Sequence, residues 1–527
     1  MIAGSPSSGT RLRAGAAWHI PLALSVAGAS LGAQAVPRAD LPGHGALRVT
    51  VDPRIEWWDE DFVDGGRLRL GSPLTGDSLL ASTALPDVAL LESNIRAAGA
   101  LPGFLANLGA GRLSVLQQRR VTPLTLEYGI TDRLALGVSI PLVRVYSRQS
   151  FQLDTTGGNL GLNPLLTDPD AADQYASFFG DFSTALANVE TALGCPASPQ
   201  CAAAQGFLTD ARAVQDALGR AVYGTGTGGG APFLPLAGTA GAVAVDSNVA
   251  RIQRELQTYG DSSFTTGFLF PPSAAPLDTD GFAQALSDGS LGFGAPPFAD
   301  TPVNQRFWLG DVEIAARLRA VDRRPYAATV GFTWRLPTGH RASADDPLGL
   351  SAGDGQTDFE GQLVQELTLW RRLWLNLSLR GGIQRPAQGE WRVASATTFL
   401  VRPQTRAALT WDPGDYVAVD FAPLYRFHRR FAAGVTLGVF AKGEDRYAYR
   451  TAQDSLDVAT RLGVPVPAAL RDAGTAQRVT RAGIAVTFIG PVIETGFSAE
   501  RTVSAGSGRA PAPWVFRLVL RAKRKLF

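Results

Sequence analysis

Leu124-Thr125-Leu126-Glu127-Tyr128-Gly129-Ile130-Thr131-Asp132-Arg133-Leu134-Ala135-Leu136-Gly137-Val138-Ser139-Ile140 is the stretch whose reading decides the fold. Leu124, Leu126, Tyr128 and Ile130 occupy every second position up to a turn at Thr131-Asp132, and Leu134, Leu136, Val138 and Ile140 resume the rhythm beyond it. Successive side chains of a strand point to opposite faces, so this reads as two strands joined by a tight turn, each with one apolar face.

Working outward, the same period runs through the chain. Before it, Leu47, Val49, Val51, Ile55 and Trp57 alternate with Arg48, Thr50, Asp52, Arg54 and Glu56. After it come Tyr326, Ala328, Val330, Phe332, Trp334 and Leu336, then Leu373, Leu375, Leu377 and Leu379. Val417, Val419, Phe421, Tyr425 and Phe427 make another strand, as do Ala482, Ile484, Val486 and Phe488. A soluble β-sandwich would bury such faces between two sheets, whereas a membrane barrel turns them to lipid. Aromatic residues near the strand ends (Trp57, Tyr128, Trp308, Trp334, Trp370, Trp391, Trp411 and Trp514) favour the barrel, whose rims carry aromatic girdles.

Turn signals are of two kinds. Tight ones fall near Thr131-Asp132, Asp322-Arg323, Arg371-Arg372, Pro403-Gln404, His428-Arg429 and Gly490-Pro491. Longer connections alternate with them, at about 59–110, 149–305, 340–356, 386–390, 444–474 and 504–511, with Asp412-Pro413-Gly414 the one short exception. Short turns on one rim and long loops on the other is the asymmetry of outer-membrane barrels. Following the parity gives a transmembrane antiparallel β-barrel of about fourteen strands with both chain ends on the short-turn rim. If the first strand or the break at Pro403 is misread, twelve is the next even number.

The bulk numbers agree. No stretch after the N-terminus has the roughly 20 apolar residues of a membrane helix, which excludes a helix bundle. A net charge of +2 without a basic stripe excludes nucleic acid as a partner. Residues 1–35 read as a secretory signal peptide: Arg11 and Arg13, an apolar run from Ala14 to Leu31, then Ala33-Gln34-Ala35 as the cleavage site. The barrel then occupies 36–527, interrupted by the 149–305 connection. Inside that connection, Tyr175, Phe178, Phe179, Phe182, Leu186, Val189 and Leu193 follow helical spacing, as do Phe207, Ala211, Val214, Leu218 and Val222. The two helices form a hairpin in an extracellular loop, its tip stapled by Cys195 and Cys201 as a disulfide suited to an exported protein. Gly224 to Gly230 is a flexible link, and a shorter helix near Asn248 to Tyr259 follows. The aromatic stripe is either the hairpin's own core or a plug for the barrel mouth.

Three phrases resemble the MetA-like outer-membrane family named for the meta-pathway of phenol degradation. They are Leu126 to Val138 with Ile140-Pro141; Leu309-Gly310-Asp311-Val312; and Leu336-Pro337-Thr338-Gly339 followed by Gly353-Asp354-Gly355-Gln356-Thr357-Asp358. They span roughly residues 120–360. The resemblance implies a barrel related to channels for hydrophobic and aromatic compounds. The inserted loop departs from it, and no N-terminal plug is recognisable. The terminal Phe527 is common among assembled barrels, although Lys525, Lys523, Arg521 and Arg517 share its parity.

With the apolar parity facing lipid, the lumen receives Arg48, Asp52, Arg54, Glu56, Glu127, Asp311, Glu313, Arg317, Arg335, Glu360, Glu366, Arg380, Asp420, Arg426 and Arg481. These charges are read as solvated or paired into a rigid wall, or as a polar constriction that selects a permeant. They do not describe a greasy tunnel. No catalytic, cofactor or metal site emerges: His44, His340 and His428 lack partner motifs, and no Gly-x-Ser-x-Gly elbow or phosphate loop occurs. Asp345, Asp346, Asp354 and Asp358 lack the spacing of a calcium loop and read as a solvated segment. The expected function is a monomeric outer-membrane barrel, bathed in outer-membrane lipid, that passes small molecules passively, including hydrophobic or aromatic ones. The alternative is a structural or surface-binding barrel with a closed lumen, and an outer-membrane hydrolase ranks last.

Overall fold

The computed structural model describes residues 38–85, 88–224, 231–300, 307–394, 398–490 and 492–525. The signal peptide and Phe527 lie outside them, and so does most of the Gly224–Gly230 link. The alternating segments pair in sequence order. They are β1 (Ala46–Val51, continued by Arg54–Trp58), β2 (Ala110–Gly129), β3 (Leu134–Asp154), β4 (Glu313–Arg323), β5 (Tyr326–Arg335) and β6 (Asp358–Leu369). Then follow β7 (Leu373–Gln384), β8 (Tyr416–His428), β9 (Phe431–Lys442), β10 (Gln477–Ile489), β11 (Ile493–Ala505) and β12 (Trp514–Lys525). Each is antiparallel to the next, and the ring closes because β1 pairs with β12 from Ala46↔Lys525 to Trp57↔Trp514 and with β2 on its other edge. The break in β1 falls at Asp52-Pro53, where proline cannot donate to the ladder.

Twelve strands therefore form the barrel, the smaller of the two counts. β7 runs directly beside β8, from Leu373↔Tyr425 to Gly382↔Tyr416. The stretch around Pro403-Gln404, which alternation reads as two more barrel strands, instead makes a separate sheet of Ala387–Arg392, Arg406–Asp412 and Arg446–Tyr449. Its apolar side chains, among them Leu409 and Trp411, are buried against Tyr447 and Val458. Trp391 and Trp411 thus belong to a loop core and not to a rim girdle. Period 2 records that one face is buried; it does not record against what.

The outward row is exposed along every wall: Leu126, Leu136, Val330, Phe332, Val417 and Ile484 all face away from the ring. Ile484 is 61% and Val417 58% accessible. The inward row is polar and buried, with Arg48 at 1% and Arg380 at 2%. A closed ring leaves no backbone edge bare, and its greasy outside is stable only against hydrocarbon. The barrel spans a membrane, and the sandwich is excluded.

Along the β2–β3 hairpin the chemistry of the two faces exchanges. Low on the hairpin the inward row is Glu127, Thr125 and Ser139, whereas higher up it becomes Leu113, Val115, Phe151 and Leu153, all buried. Over the same upper residues the outward row turns to Arg112, Ser114, Arg148 and Gln152, all exposed. The hairpin leaves the membrane where this exchange occurs, and its upper inner face packs on the inserted loop.

That insertion runs between β3 and β4 and contains α1 (Ala171–Ala192), α2 (Pro199–Tyr223) and α3 (Ala240–Thr258). Cys195 and Cys201 are bonded, Cα atoms 5.2 Å apart, at the tip between α1 and α2. Ser198 caps α2 by accepting the Cys201 N–H at 2.9 Å. Tyr175, Phe178 and Phe182 form the insertion's own core, with Phe182 stacked on Phe264 and Tyr175 and Phe178 meeting Phe268 at tilted or edge-on angles. The same cluster also takes in Leu113 and Phe151 of β2–β3, Leu348 of the β5–β6 loop, and Phe399 and Leu400 of the β7–β8 loop. The insertion is thus anchored to loops from both sides of the ring, over the long-loop rim.

Candidate functional site

The bore is built from the inward row, and three features shape it: a belt of ion pairs, a strap at the short-turn end and a latched loop at the other. The belt follows the wall from strand to strand. Arg48 on β1 donates to Glu127 on β2 at 2.6 Å, and the other Glu127 oxygen accepts from Arg317 on β4 at 3.1 Å. Arg335 on β5 sits between Glu313 on β4 (3.1 Å) and Asp358 on β6 (2.9 Å). Arg380 on β7 reaches Glu360 on β6 at 3.8 Å and Asp420 on β8 at 3.0 Å. Asp420 also accepts from Arg481 on β10 at 3.1 Å, and Arg481 lies 3.7 Å from Glu500 on β11. Near the junction of β1 and β12, Asp52 pairs with Arg517 at 2.6 Å and Glu56 with Arg119 at 3.1 Å, with Arg54 buried on the same row. Arg426 lies 4.5 Å over the Trp374 ring.

Such pairs gain little over apolar packing, because removing two charges from water offsets their attraction; leaving one charge alone is what costs. The wall is therefore rigid as long as every partner is present. Gly438 on β9 makes room for one pair: a Cβ there would stand 2.9 Å from Asp420 Oδ1 and 3.0 Å from Arg481 Nη2.

The strap is residues 38–41, ahead of β1. Ala39 and Leu41 are buried, at 1% and 4% exposure. Thr329 on β5 donates its hydroxyl to the Ala39 carbonyl at 2.5 Å, and Arg317 donates to the Arg38 carbonyl at 3.0 Å. Arg38 bonds Glu494 on β11 at 3.2 Å, lies 3.8 Å from Glu366 on β6 and stands 5.8 Å over Trp374 on β7. Asp40 pairs with Lys523 on β12 and with Arg48 on β1, the latter at 3.4 Å. β6 and β7 lie across the ring from β11, β12 and β1, so the strap crosses the bore. The space left beside Arg38, Trp374, Glu494 and Arg521 is about 20 Å³, room for a water molecule. Sequence reading missed this element. Arg38-Ala39-Asp40, two charges followed by Pro42-Gly43 directly before a strand, was its only signal.

The latch explains why two separated sequence phrases go together. Asp311 lies just before β4, and its two oxygens accept the backbone N–H of Gly339 (2.8 Å) and of Asp354 (2.9 Å). Thr338 donates to the Gly310 carbonyl at 2.8 Å and accepts from the Val312 N–H at 2.9 Å. Gly339 and Gly353 are required here, since a Cβ on either would stand 2.8 Å or less from an Asp311 oxygen. The two ends of the β5–β6 loop are thereby tied to one carboxylate. Burial first, then the charges of Asp311 and Asp358, raise Asp354 from 3.8 to about 8. Of the remaining loop acids, Asp345 pairs with Arg392 and Arg406, both at 2.9 Å, and Asp346 accepts the Leu348 N–H at 3.0 Å.

Between this loop and the β7–β8 loop opens a cavity of about 380 Å³. Trp391, Phe399 and Arg341 are among its lining residues, the Arg341 guanidinium lying over the Trp391 ring at 5.5 Å from its centre. The volume lies in the range of small-molecule sites, about 300–1,000 Å³.

No family model matches the chain, and no curated protein matches it. Solved structures do resemble it. The COG4313 outer membrane channel from Pseudomonas putida F1 aligns at 11% identity over 92% of this chain and 97% of that chain, with a TM-score of 0.40. A Pseudomonas aeruginosa FadL homologue aligns at 9% identity over 90% of each chain, TM-score 0.27. The Pseudomonas putida toluene transporter TodX aligns at 9% identity over 97% and 96%, TM-score 0.26. At this level of likeness, what the bore does has to be read from its own side chains.

Proposed function

We propose that the chain is an outer-membrane channel that passes small molecules passively, with hydrophobic or aromatic compounds among its permeants. The observation that carries this reading is the closed ring whose greasy row faces outward while paired charges line a bore. The short-turn rim, where the described residues begin and end, faces the periplasm and the long loops face outward. A solute first meets the cavity walled by Trp391, Phe399 and Arg341, where aromatic faces and a guanidinium suit a planar molecule. The MetA-like phrases support the aromatic preference, and the latch gives them a structural purpose. The proposed channel is a monomer that needs no catalytic residue of its own; His340 is stacked on Trp308 at 4.1 Å, and His44 and His428 stand at the short-turn rim.

Planar-bilayer recording tests the reading. The wild type should give small, steady currents, and deleting residues 38–41 should raise them severalfold. A competing reading, a structural barrel with a shut lumen, draws on the strap and on the insertion over the opposite mouth. Absence of current from the wild type, from the strap deletion and from a deletion of the 155–312 insertion would establish that alternative.

A further inference from the structure

Arginines crowd the short-turn rim. Arg371-Arg372 and Arg429-Arg430 each occupy a turn between adjacent barrel strands, and Arg323-Arg324 ends β4 and opens its turn to β5. Arg133 adds a fourth turn, and Arg524 and Lys525 end the described part of β12. All are exposed, and none makes an ion pair among the described residues. Only Arg372 has a polar side-chain contact, 3.4 Å from the Tyr425 hydroxyl. Carboxylates of this rim are already engaged: Asp132 accepts the His44 N–H at 2.9 Å, and Asp322 holds Arg319 at 2.8 Å. The net charge of +2 conceals this concentration.

The depth of the ring is set by its neighbours. Tyr425, Phe427 and Phe431 sit on the outward, lipid-facing row at the ends of β8 and β9, 49%, 60% and 39% exposed. The guanidinium-bearing turns begin one or two residues beyond them. Aromatic side chains of this kind sit at the hydrocarbon boundary, so the next residues meet headgroups. The turn at 370–371 makes the same point through its backbone. Trp370 and Arg371 both have positive φ, 47° and 60°. A two-residue hairpin turn with this geometry suits Asn-Gly. In their place stand an indole, 83% exposed, and a guanidinium, the two side chains best suited to a headgroup layer.

We propose that this rim is a docking surface for anionic phospholipid of the adjoining leaflet, its paired arginines gripping the phosphate diesters as bidentate donors. The ring follows the circumference and is continuous with the lipid-facing aromatics. An acidic soluble protein would instead require a patch facing away from the bilayer. The inference uses the barrel's placement in a membrane and not its transport.

The test is native mass spectrometry of the full-length folded protein, equilibrated with mixed micelles of phosphatidylglycerol and phosphatidylcholine. The wild type should retain phosphatidylglycerol preferentially. R371Q/R372Q/R429Q/R430Q should lose about fivefold in phosphatidylglycerol affinity for each arginine removed, and lose less for phosphatidylcholine, whose choline cation already offsets its phosphate. The corresponding four-lysine variant, which keeps charge but not the planar fork, should fall between. Heat-modifiable gel mobility reports folding of each variant. Equal retention of the two lipids by the wild type, or no loss in the glutamine variant, overturns the proposal. So does a wild type that ignores phosphatidylglycerol yet binds soluble polyglutamate through these arginines. Because no current is measured, these outcomes are independent of the channel reading.

Discussion

Arg38 donates to Glu494 at 3.2 Å although the two residues stand 456 positions apart in the chain. This bond ties a segment that precedes the first strand to the eleventh strand, on the far side of the bore from Glu366, which with Asp40 also lies within 4 Å of Arg38. Removing it should loosen the strap. Arg38→Ala should raise single-channel conductance, and Arg38→Ala with Asp40→Ala should raise it further, toward the value of the 38–41 deletion. A conductance in the double variant equal to that of the wild type would show that the strap does not limit flow.

Asp420 serves two arginines, Arg380 at 3.0 Å and Arg481 at 3.1 Å. Asp420→Ala leaves both cations on the inner wall without this partner, a loss of about 3 kcal/mol. Gly438→Val should act on the same pair by wedging its side chain between the partners. Urea unfolding in detergent micelles, followed by tryptophan fluorescence, measures both. Replacing Arg380, Asp420 and Arg481 together with Met, Leu and Met, and Glu360 and Glu500 with Gln, should recover much of the stability, because the carboxylates that faced the two arginines are then neutral as well.

The β5–β6 latch should weaken as pH rises. Asp354 is raised from 3.8 to about 8 in the folded loop, so the fold binds its proton more tightly than the unfolded chain does. The contribution is full below about pH 4 and is lost progressively by about pH 8, as Asp354 ionises beside Asp311 and Asp358 with Arg335 as the opposing charge and Arg341 bonded to the Asp354 carbonyl. A spin label on Ser343→Cys should become more mobile across that window. Asp354→Asn should abolish the pH dependence, and a dependence that survives in it would assign the effect elsewhere.

The turn at Trp370-Arg371 can be made more stable at the expense of the rim. Trp370→Asn with Arg371→Gly supplies the residues its positive φ angles favour, and should add about 1 kcal/mol of stability. Thermal unfolding in micelles reports the gain. A loss of stability would show that the exposed indole contributes more than its backbone strain costs.

Much of the barrel was legible because its rule is local. Leu134, Leu136, Val138 and Ile140 alternate in any barrel strand, both hairpin helices followed from spacing, and the disulfide staple from two nearby cysteines in a chain read as exported. The strand count was not, because Trp391 and Trp411 alternate just as well in a sheet that buries them under its own loops. The bore was legible only as a list of charges. Which of them pair depends on register: Asp420 and Arg481 meet because both lie opposite Gly438.

The sequence carried the two-faced strands, since the alternation of apolar and polar side chains is fixed by the strand's own geometry, and its unequal turn lengths and terminal aromatic residues pointed those faces to lipid. What crosses the bore and what latches its mouth emerged only from the folded chain. Arg38 with Glu494, and Asp311 with Gly339 and Asp354, are contacts between distant segments, and no local period carries information about a partner that arrives from elsewhere in the chain.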